Sequence, residues 1–218
     1  GWKVLGELLQ FGLILGSIMI ICVISGIFAE ESQTRMLPLI FTTVEGKRKD
    51  TSAKVLASFT ITVLLYAGIT GSAWGLCKIV YDLKGGYNLT GVVISGSMWK
   101  TVDKVPFISY LSVLLILGML AFLSLNAITL CISAYQDSMF GAVVATAICW
   151  AISLLVRIFF GGLVWILVDS MAMPMFLIMQ VNLNDIYSIW YVVAVIAVGM
   201  LAVFLTKGIL HYKVKQVV

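Results

Sequence analysis

The sequence predicts an all-α membrane protein, because its apolar content is high and its apolar runs are long. Of the 218 residues, 61% are hydrophobic and 11% charged, whereas soluble domains are about half apolar and about a quarter charged. Five runs provide the ~20 helical residues that cross a hydrocarbon layer. They cover residues 9–29, 55–80, 107–134, 139–168 and 189–206. The runs lack the alternation of apolar and polar residues that is typical of membrane strands, so we predict that they are helices. We predict one domain over residues 1–218, a polytopic transmembrane helix bundle of about five spans.

The basic residues predict the orientation of this bundle. With five spans the connection 30–54 lies on the same side as the carboxyl-terminal tail, and that side carries eight basic residues against five on the other. The positive-inside rule therefore makes 30–54 and the tail cytoplasmic. The amino terminus is then outside, so we expect the chain to be a piece of a longer protein with a helix upstream. The eight are Arg35, Lys47, Arg48, Lys49, Lys54, Lys207, Lys213 and Lys215, and the five are Lys3, Lys78, Lys84, Lys100 and Lys104.

Apolar character continues from residue 139 to residue 181, which is longer than one crossing needs. Residues 159–181 are either a sixth span or a segment that enters and leaves on the outer side. Gly161 and Gly162, Asp169 and Pro174 interrupt this segment, which favours a re-entrant outer segment shielded by protein. A sixth span would also separate the basic tail from the connection 30–54.

The cytoplasmic connection has the pattern of a short amphipathic helix. Two glutamates precede its apolar stripe and the basic residues 47–49 follow it, which suits the two ends of a helix dipole. Such a helix either lies along the membrane interface, followed by a solvated basic turn, or docks a soluble partner. The stripe consists of Met36, Leu37, Ile40, Phe41 and Val44, at three- and four-residue spacing.

This connection resembles that of ABC-2 type permeases, the membrane subunits of ATP-binding cassette transporters. A span ends in Phe28-Ala-Glu-Glu31, a short helix follows over 35–43, and Arg48 precedes Lys54 at the start of the next span. In that family an acidic residue closes the second helix, a coupling helix follows, and a basic residue precedes a lysine at the third. Many members place a proline before the basic residue, where this chain has Glu45-Gly46.

The resemblance implies a fold, partners and a function. The family has six helices and a re-entrant outer segment, so these five spans would be its second to sixth. It implies a dimer with a second permease copy or homologous permease in the cell membrane, and cytoplasmic ATPase subunits that hold ATP and Mg²⁺ and drive transport, usually outward. The residues implied in ATPase docking are Glu31, Arg35, Met36, Leu37, Ile40, Phe41, Val44 and Arg48.

Arg157 is the basic residue that falls inside an apolar run, and a charge within a membrane is a candidate functional group. Counted from Met139, it lies roughly 27 Å along a helix, near the far side of a ~30 Å hydrocarbon core. It could therefore reach the interface or pair with Asp169 or Asp185. The alternative is that Arg157 and Asp169 contact the substrate or take part in gating.

The sequence argues against catalysis by this chain. The single histidine, His211, lies in the tail, and no Ser-His, His-Glu-x-x-His or phosphate-binding loop pattern appears. We expect no cofactor or metal in this chain, and the lipid bilayer but no nucleic acid among its partners. A membrane scaffold or assembly protein and a secondary transporter remain alternatives to the permease.

Overall fold

The computed structural model describes residues 2–33, 46–81, 107–160 and 183–215. Apart from Ser25 and residues 136–138, all of these residues are helical. This confirms the all-α prediction for the described part of the chain. The helices are α1 (Trp2–Ile24), α2 (Gly26–Gln33), α3 (Gly46–Tyr81), α4 (Phe107–Tyr135), α5 (Met139–Phe160) and α6 (Leu183–Lys215).

Four helical segments are long and apolar enough to cross a membrane: Val4–Glu31, Asp50–Tyr81, Leu111–Tyr135 and Ala194–Tyr212. They match the first, second, third and fifth predicted spans, so the prediction of a multi-pass architecture agrees with the structure. The fourth predicted span corresponds to α5, which has 22 residues. Its crossing of the membrane stays a prediction.

Helix α4 is the centre of the bundle. It packs against every other helix of the described chain, and residues 124–131 are all buried, which leaves no lipid-facing side along that stretch. Leu117, Phe122 and Leu125 are among its core side chains. A helix buried all round is expected to have no polar face. Both hydroxyls on this stretch, those of Ser124 and Thr129, donate to carbonyls of their own helix.

The contacts between helix ends give the path of the chain. Tyr135 stacks on His211, which makes α4 and α6 parallel. The turn 136–138 then reverses the chain into α5, whose first residue contacts Gln33. Phe160 and Leu183 therefore both lie toward the opposite end of the bundle. The predicted re-entrant segment lies outside the described residues apart from its first two, and it stays a prediction.

A kink at Ser25 separates α1 from α2. The Ser133 hydroxyl of α4 donates to the Ser25 carbonyl at 2.6 Å and accepts the backbone N–H groups of Phe28 and Ala29, each at 3.2 Å. In an unbroken helix the N–H of Ala29 would bond the Ser25 carbonyl itself. Insertion of a side chain into this ladder is a known cause of kinks, so α4 sets the direction of α2.

The connection 30–54 is more helical than predicted, because α2 continues to Gln33 and α3 begins at Gly46. One of the two alternatives for this connection included a turn at residues 47–49, and this turn is wrong because these residues are helical. Lysine, arginine and alanine are good helix formers, and the pair Asp50 and Lys54 supports the first turns at i,i+4 spacing. The predicted coupling helix falls on residues 34–45, outside the described residues.

Candidate functional site

A group of charged and polar side chains joins α2, α3 and α6 at one end of the bundle. One carboxylate oxygen of Glu31 contacts the Lys54 ammonium, and the other accepts the Tyr212 hydroxyl hydrogen. Lys54 Nζ also donates to Asp50 Oδ2 at 2.5 Å. We call these four residues the Glu31 cluster, and the end of the bundle that carries them the Glu31 end.

The cluster is largely removed from solvent. The Glu31 and Lys54 side chains are 17% and 19% exposed, and Tyr212 is 2% exposed. Removing one member of a shielded ion pair leaves an uncompensated charge, which is far more costly than losing a surface pair. Both oxygens of Glu31 have partners, so this carboxylate is held in one position.

Local packing positions Glu31 and Tyr212 within the cluster. Phe28 and Glu31 are three residues apart in α2 and so share a helix face. Tyr212 contacts both of them, because its ring lies against Phe28 with centroids 4.4 Å apart while its hydroxyl reaches the carboxylate. The kink at Ser25 sets the direction of α2, so it also determines where Glu31 meets α3 and α6.

Further contacts connect the remaining helices at the Glu31 end. The Tyr135 and His211 rings stack with centroids 3.7 Å apart and planes inclined by 13°. Gln33 Oε1 accepts the backbone N–H of Met139 at 3.2 Å, and Ser138 caps the start of α5. The ends of α2, α4, α5 and α6 are thus tied to one another around the cluster.

The cluster lies at both attachment points of residues 34–45. Glu31 is near the end of α2, just before this segment, and Lys54 is in the third turn of α3, just after it. A displacement of residues 34–45 would act on both helices, and Tyr212 adds α6. The members of the cluster are one another's partners, so the arrangement suits the transmission of movement between helices more than chemistry on a substrate.

No family model, curated protein or solved structure matches this chain. The candidate function therefore rests on the sequence pattern and on the geometry of the Glu31 cluster.

Three of the predicted site residues lie in the described part of the chain. Glu31 belongs to the cluster, and Arg48 lies in the first turn of α3. Arg157 lies in the last turn of α5, at the end far from the cluster. The remaining ones fall outside the described residues, and their roles stay predictions: Arg35, Met36, Leu37, Ile40, Phe41, Val44 and Asp169.

Sequence reasoning missed Tyr212 and Asp50. Tyr212 lies beyond the predicted end of the last span at residue 206, yet α6 continues to Lys215. The signal was present, because Leu205, Gly208 and Tyr212 follow one another at spacings of three and four, as one helix face would. Asp50 precedes Lys54 by four residues, the spacing of a helical ion pair.

A second polar contact lies inside the bundle, between α3 and α4. Asn126 Nδ2 donates to Ser58 Oγ at 3.5 Å, and both residues are fully buried. Within the described part of the chain, Asn126 Oδ1 has no hydrogen-bond partner. A buried acceptor without a partner costs about 1–3 kcal/mol, so this amide is a local source of instability.

Proposed function

We propose that the chain is the membrane-spanning permease subunit of an ATP-binding cassette transporter of the ABC-2 type. It moves a substrate, in the export direction, using ATP and Mg²⁺ that are bound by a separate cytoplasmic ATPase subunit. The chain lies in the cell membrane with residues 30–54 and its tail in the cytoplasm. A second permease copy or a homologous permease completes the membrane domain.

The contact between Glu31 and Lys54 is the observation that supports this proposal most directly. The sequence pattern singled out an acidic residue at the end of one span and a lysine at the start of the next, separated by an amphipathic segment. These two side chains form an ion pair. The pair makes the two ends of that segment one unit, as a coupling element between an ATPase and the membrane helices would require.

The proposed mechanism transmits movement through this unit. The ATPase subunit binds residues 34–45 through their apolar stripe, and its closure on ATP displaces them. Because Glu31 contacts both Lys54 and Tyr212, the displacement reaches α2, α3 and α6 together. Rigid-body movement of helices about an interface is an established way to change access to a transport path.

Co-purification tests the proposal. We expect an ATPase with a phosphate-binding loop to purify with the chain from membranes of the source cell, and the double variant Ile40→Ser, Phe41→Ser to lose it. Two buried apolar side chains lost from the interface should weaken binding by about a hundredfold or more. The matched control is Ile79→Ser with Val80→Ser, an adjacent pair exposed at the other end of α3.

The control should keep the ATPase, and both double variants should elute as folded proteins in size-exclusion chromatography. A folded Ile40→Ser, Phe41→Ser variant that retains the ATPase at wild-type stoichiometry would contradict the docking role. If no ATPase accompanies the wild-type chain even after cross-linking in the membrane, the permease assignment fails and the scaffold or secondary transporter is favoured.

Cysteine labelling tests the proposed orientation separately. In a variant whose four native cysteines are serine, we expect Gly86→Cys but not Lys49→Cys to react with a membrane-impermeant maleimide in intact cells. Both should react after the membrane is opened. Reaction of Lys49→Cys alone in intact cells would reverse the topology.

A further inference from the structure

An open groove of about 530 Å³ runs along the surface of the bundle between α3 and α6. Both helices pack against α4 but hardly contact each other, so the groove is the gap between them. It lies toward the Glu31 end, where α3 begins and α6 ends. The residues along its walls include Ser52, Val55 and Phe59 of α3 and Leu201, Leu205 and Ile209 of α6.

The lining of the groove suits a hydrocarbon chain. Its side chains are apolar, except for the hydroxyls of Thr51 and Ser52 near the end where α3 begins. An acyl chain gains little by moving from the bilayer into such a groove, because the two environments are similarly apolar. The lining alone therefore selects no particular lipid, and any selectivity must come from the polar end of the groove.

On both α3 and α6, the helix face that lines the groove reaches a basic residue at the Glu31 end. Arg48 stands four positions before Ser52 in α3, and Lys213 stands four positions after Ile209 in α6. Positions four apart lie on one face of a helix, so both fall on the stripes that form the groove. Lys54 pairs with both nearby acids, Glu31 and Asp50, and balances one of their two negative charges. The two basic positions therefore outweigh the negative charge that is left.

We propose that this groove is a binding site for an anionic phospholipid in the membrane leaflet at the Glu31 end. One acyl chain lies between α3 and α6, and the headgroup phosphate lies between positions 48 and 213. The charge at both positions commits the site to an anionic lipid. The site shares Arg48 with the proposed ATPase docking, whereas its lining and Lys213 take no part in that docking. The test below uses the purified chain without an ATPase, so its outcome does not depend on the proposed transport function.

Native mass spectrometry tests this proposal on the purified chain in detergent. The protein is mixed with equal amounts of phosphatidylglycerol and phosphatidylcholine that carry identical acyl chains. Each basic residue near a membrane surface favours anionic lipid by about fivefold. We therefore expect the wild-type chain to retain phosphatidylglycerol on the order of ten- to thirtyfold better. Lys213→Gln and Arg48→Gln should each lower this preference by about fivefold.

The control for charge is Lys207→Gln. Lys207 is exposed and lies two positions before Ile209, on the other side of α6. It changes the net charge as Lys213→Gln does, so the preference should stay at the wild-type value. Equal retention of the two lipids by the wild-type chain, or equal effects of the Lys207 and Lys213 variants, would overturn the proposal.

A pair of tryptophan variants tests the groove itself. Leu56 lines the groove and is 70% exposed, while Leu64 of the same helix is 66% exposed and lies outside the groove lining. Leu56→Trp should fill the groove and lower the retention of phosphatidylglycerol, whereas Leu64→Trp should leave it unchanged. If Leu56→Trp fails to fold, the comparison of Lys213→Gln with Lys207→Gln still decides. Loss of a dimer with unchanged lipid retention would show that a second copy covers the groove, and the lipid site would be rejected.

Discussion

The hydroxyl of Tyr212 and the carboxylate of Glu31 should stabilise the bundle cooperatively, and a double-mutant cycle can measure this. Glu31→Gln keeps the shape of the side chain but removes its charge. Tyr212→Phe keeps the ring contact with Phe28, whose centroid lies 4.4 Å away, but removes the hydroxyl. Each variant therefore changes one partner of the hydrogen bond, and the double variant changes both.

The expected size of the coupling follows from the charge on the acceptor. A hydrogen bond to a charged group contributes about 1.5–3 kcal/mol, and one between neutral groups about 0.5–1.5 kcal/mol. In Glu31→Gln the amide still accepts the Tyr212 hydroxyl, but the bond becomes neutral, so removing the hydroxyl then costs less. We expect a coupling energy of about 1 kcal/mol. Lys54 keeps Asp50 as its partner in this variant, which limits the added cost of its own lost contact.

Reversible unfolding of the purified protein in mixed micelles, followed by circular dichroism, would give the four free energies of unfolding. Tyr135→Phe provides the control, because Tyr135 lies at the same end of the bundle and is 51% exposed. Its cycle with Glu31→Gln should be additive within about 0.3–0.5 kcal/mol. A Glu31 and Tyr212 cycle that is equally additive would refute the argument that this contact holds α6 to α2.

Three further variants, one of them with a matched control, test the packing of the bundle. Ser133→Ala should lower the free energy of unfolding by about 1–3 kcal/mol, since backbone groups on both sides of the kink lose their partner; a loss below about 0.5 kcal/mol would mean that the helix straightens and restores its own bond. Gly208→Val should lower the free energy of unfolding by about 1–3 kcal/mol, because a β-carbon there would lie 3.0 Å from Cys131 Cα. Gly68→Val is the control and should lower it much less, because a β-carbon at Gly68 would have nothing within 4 Å. Equal losses in the two variants would contradict this. Asn126→Leu should leave stability unchanged or raise it, as it removes an amide oxygen without a partner; a loss above about 1 kcal/mol in the same unfolding assay would contradict this.

Local sequence was enough to predict the four helical segments of the described chain that are long and apolar enough to cross a membrane. Apolar length, which is a property of each segment alone, placed the bounds of the first, third and last spans within about six residues of the segments Val4–Glu31, Leu111–Tyr135 and Ala194–Tyr212. Helix ends were harder to predict, because polar residues at the end of a span can continue a helix beyond the hydrocarbon. Thus α3 begins nine residues before the predicted span at residue 55.

The arrangement of these helices could not be predicted from apolar length. All five runs are strongly apolar, so nothing in their composition shows that α4 lies at the centre and is buried along 124–131. In lipid the hydrophobic effect does not determine which helices pack together. Close packing and a few polar contacts between helices determine it instead. Ser133 is such a contact, because it bonds the backbone where α1 and α2 meet from a position more than a hundred residues away.

For the candidate site, the sequence alone determined that an acidic residue ends one span, that a lysine lies at the start of the next, and that an amphipathic segment separates them. These are features of residue type and spacing along one stretch of chain. Only the tertiary structure decided that Glu31 and Lys54 form an ion pair and that Tyr212 joins them from the far end of the sequence. The physical reason is that an ion pair or hydrogen bond depends on distances of a few ångströms, and helix packing, not order along the chain, sets those distances.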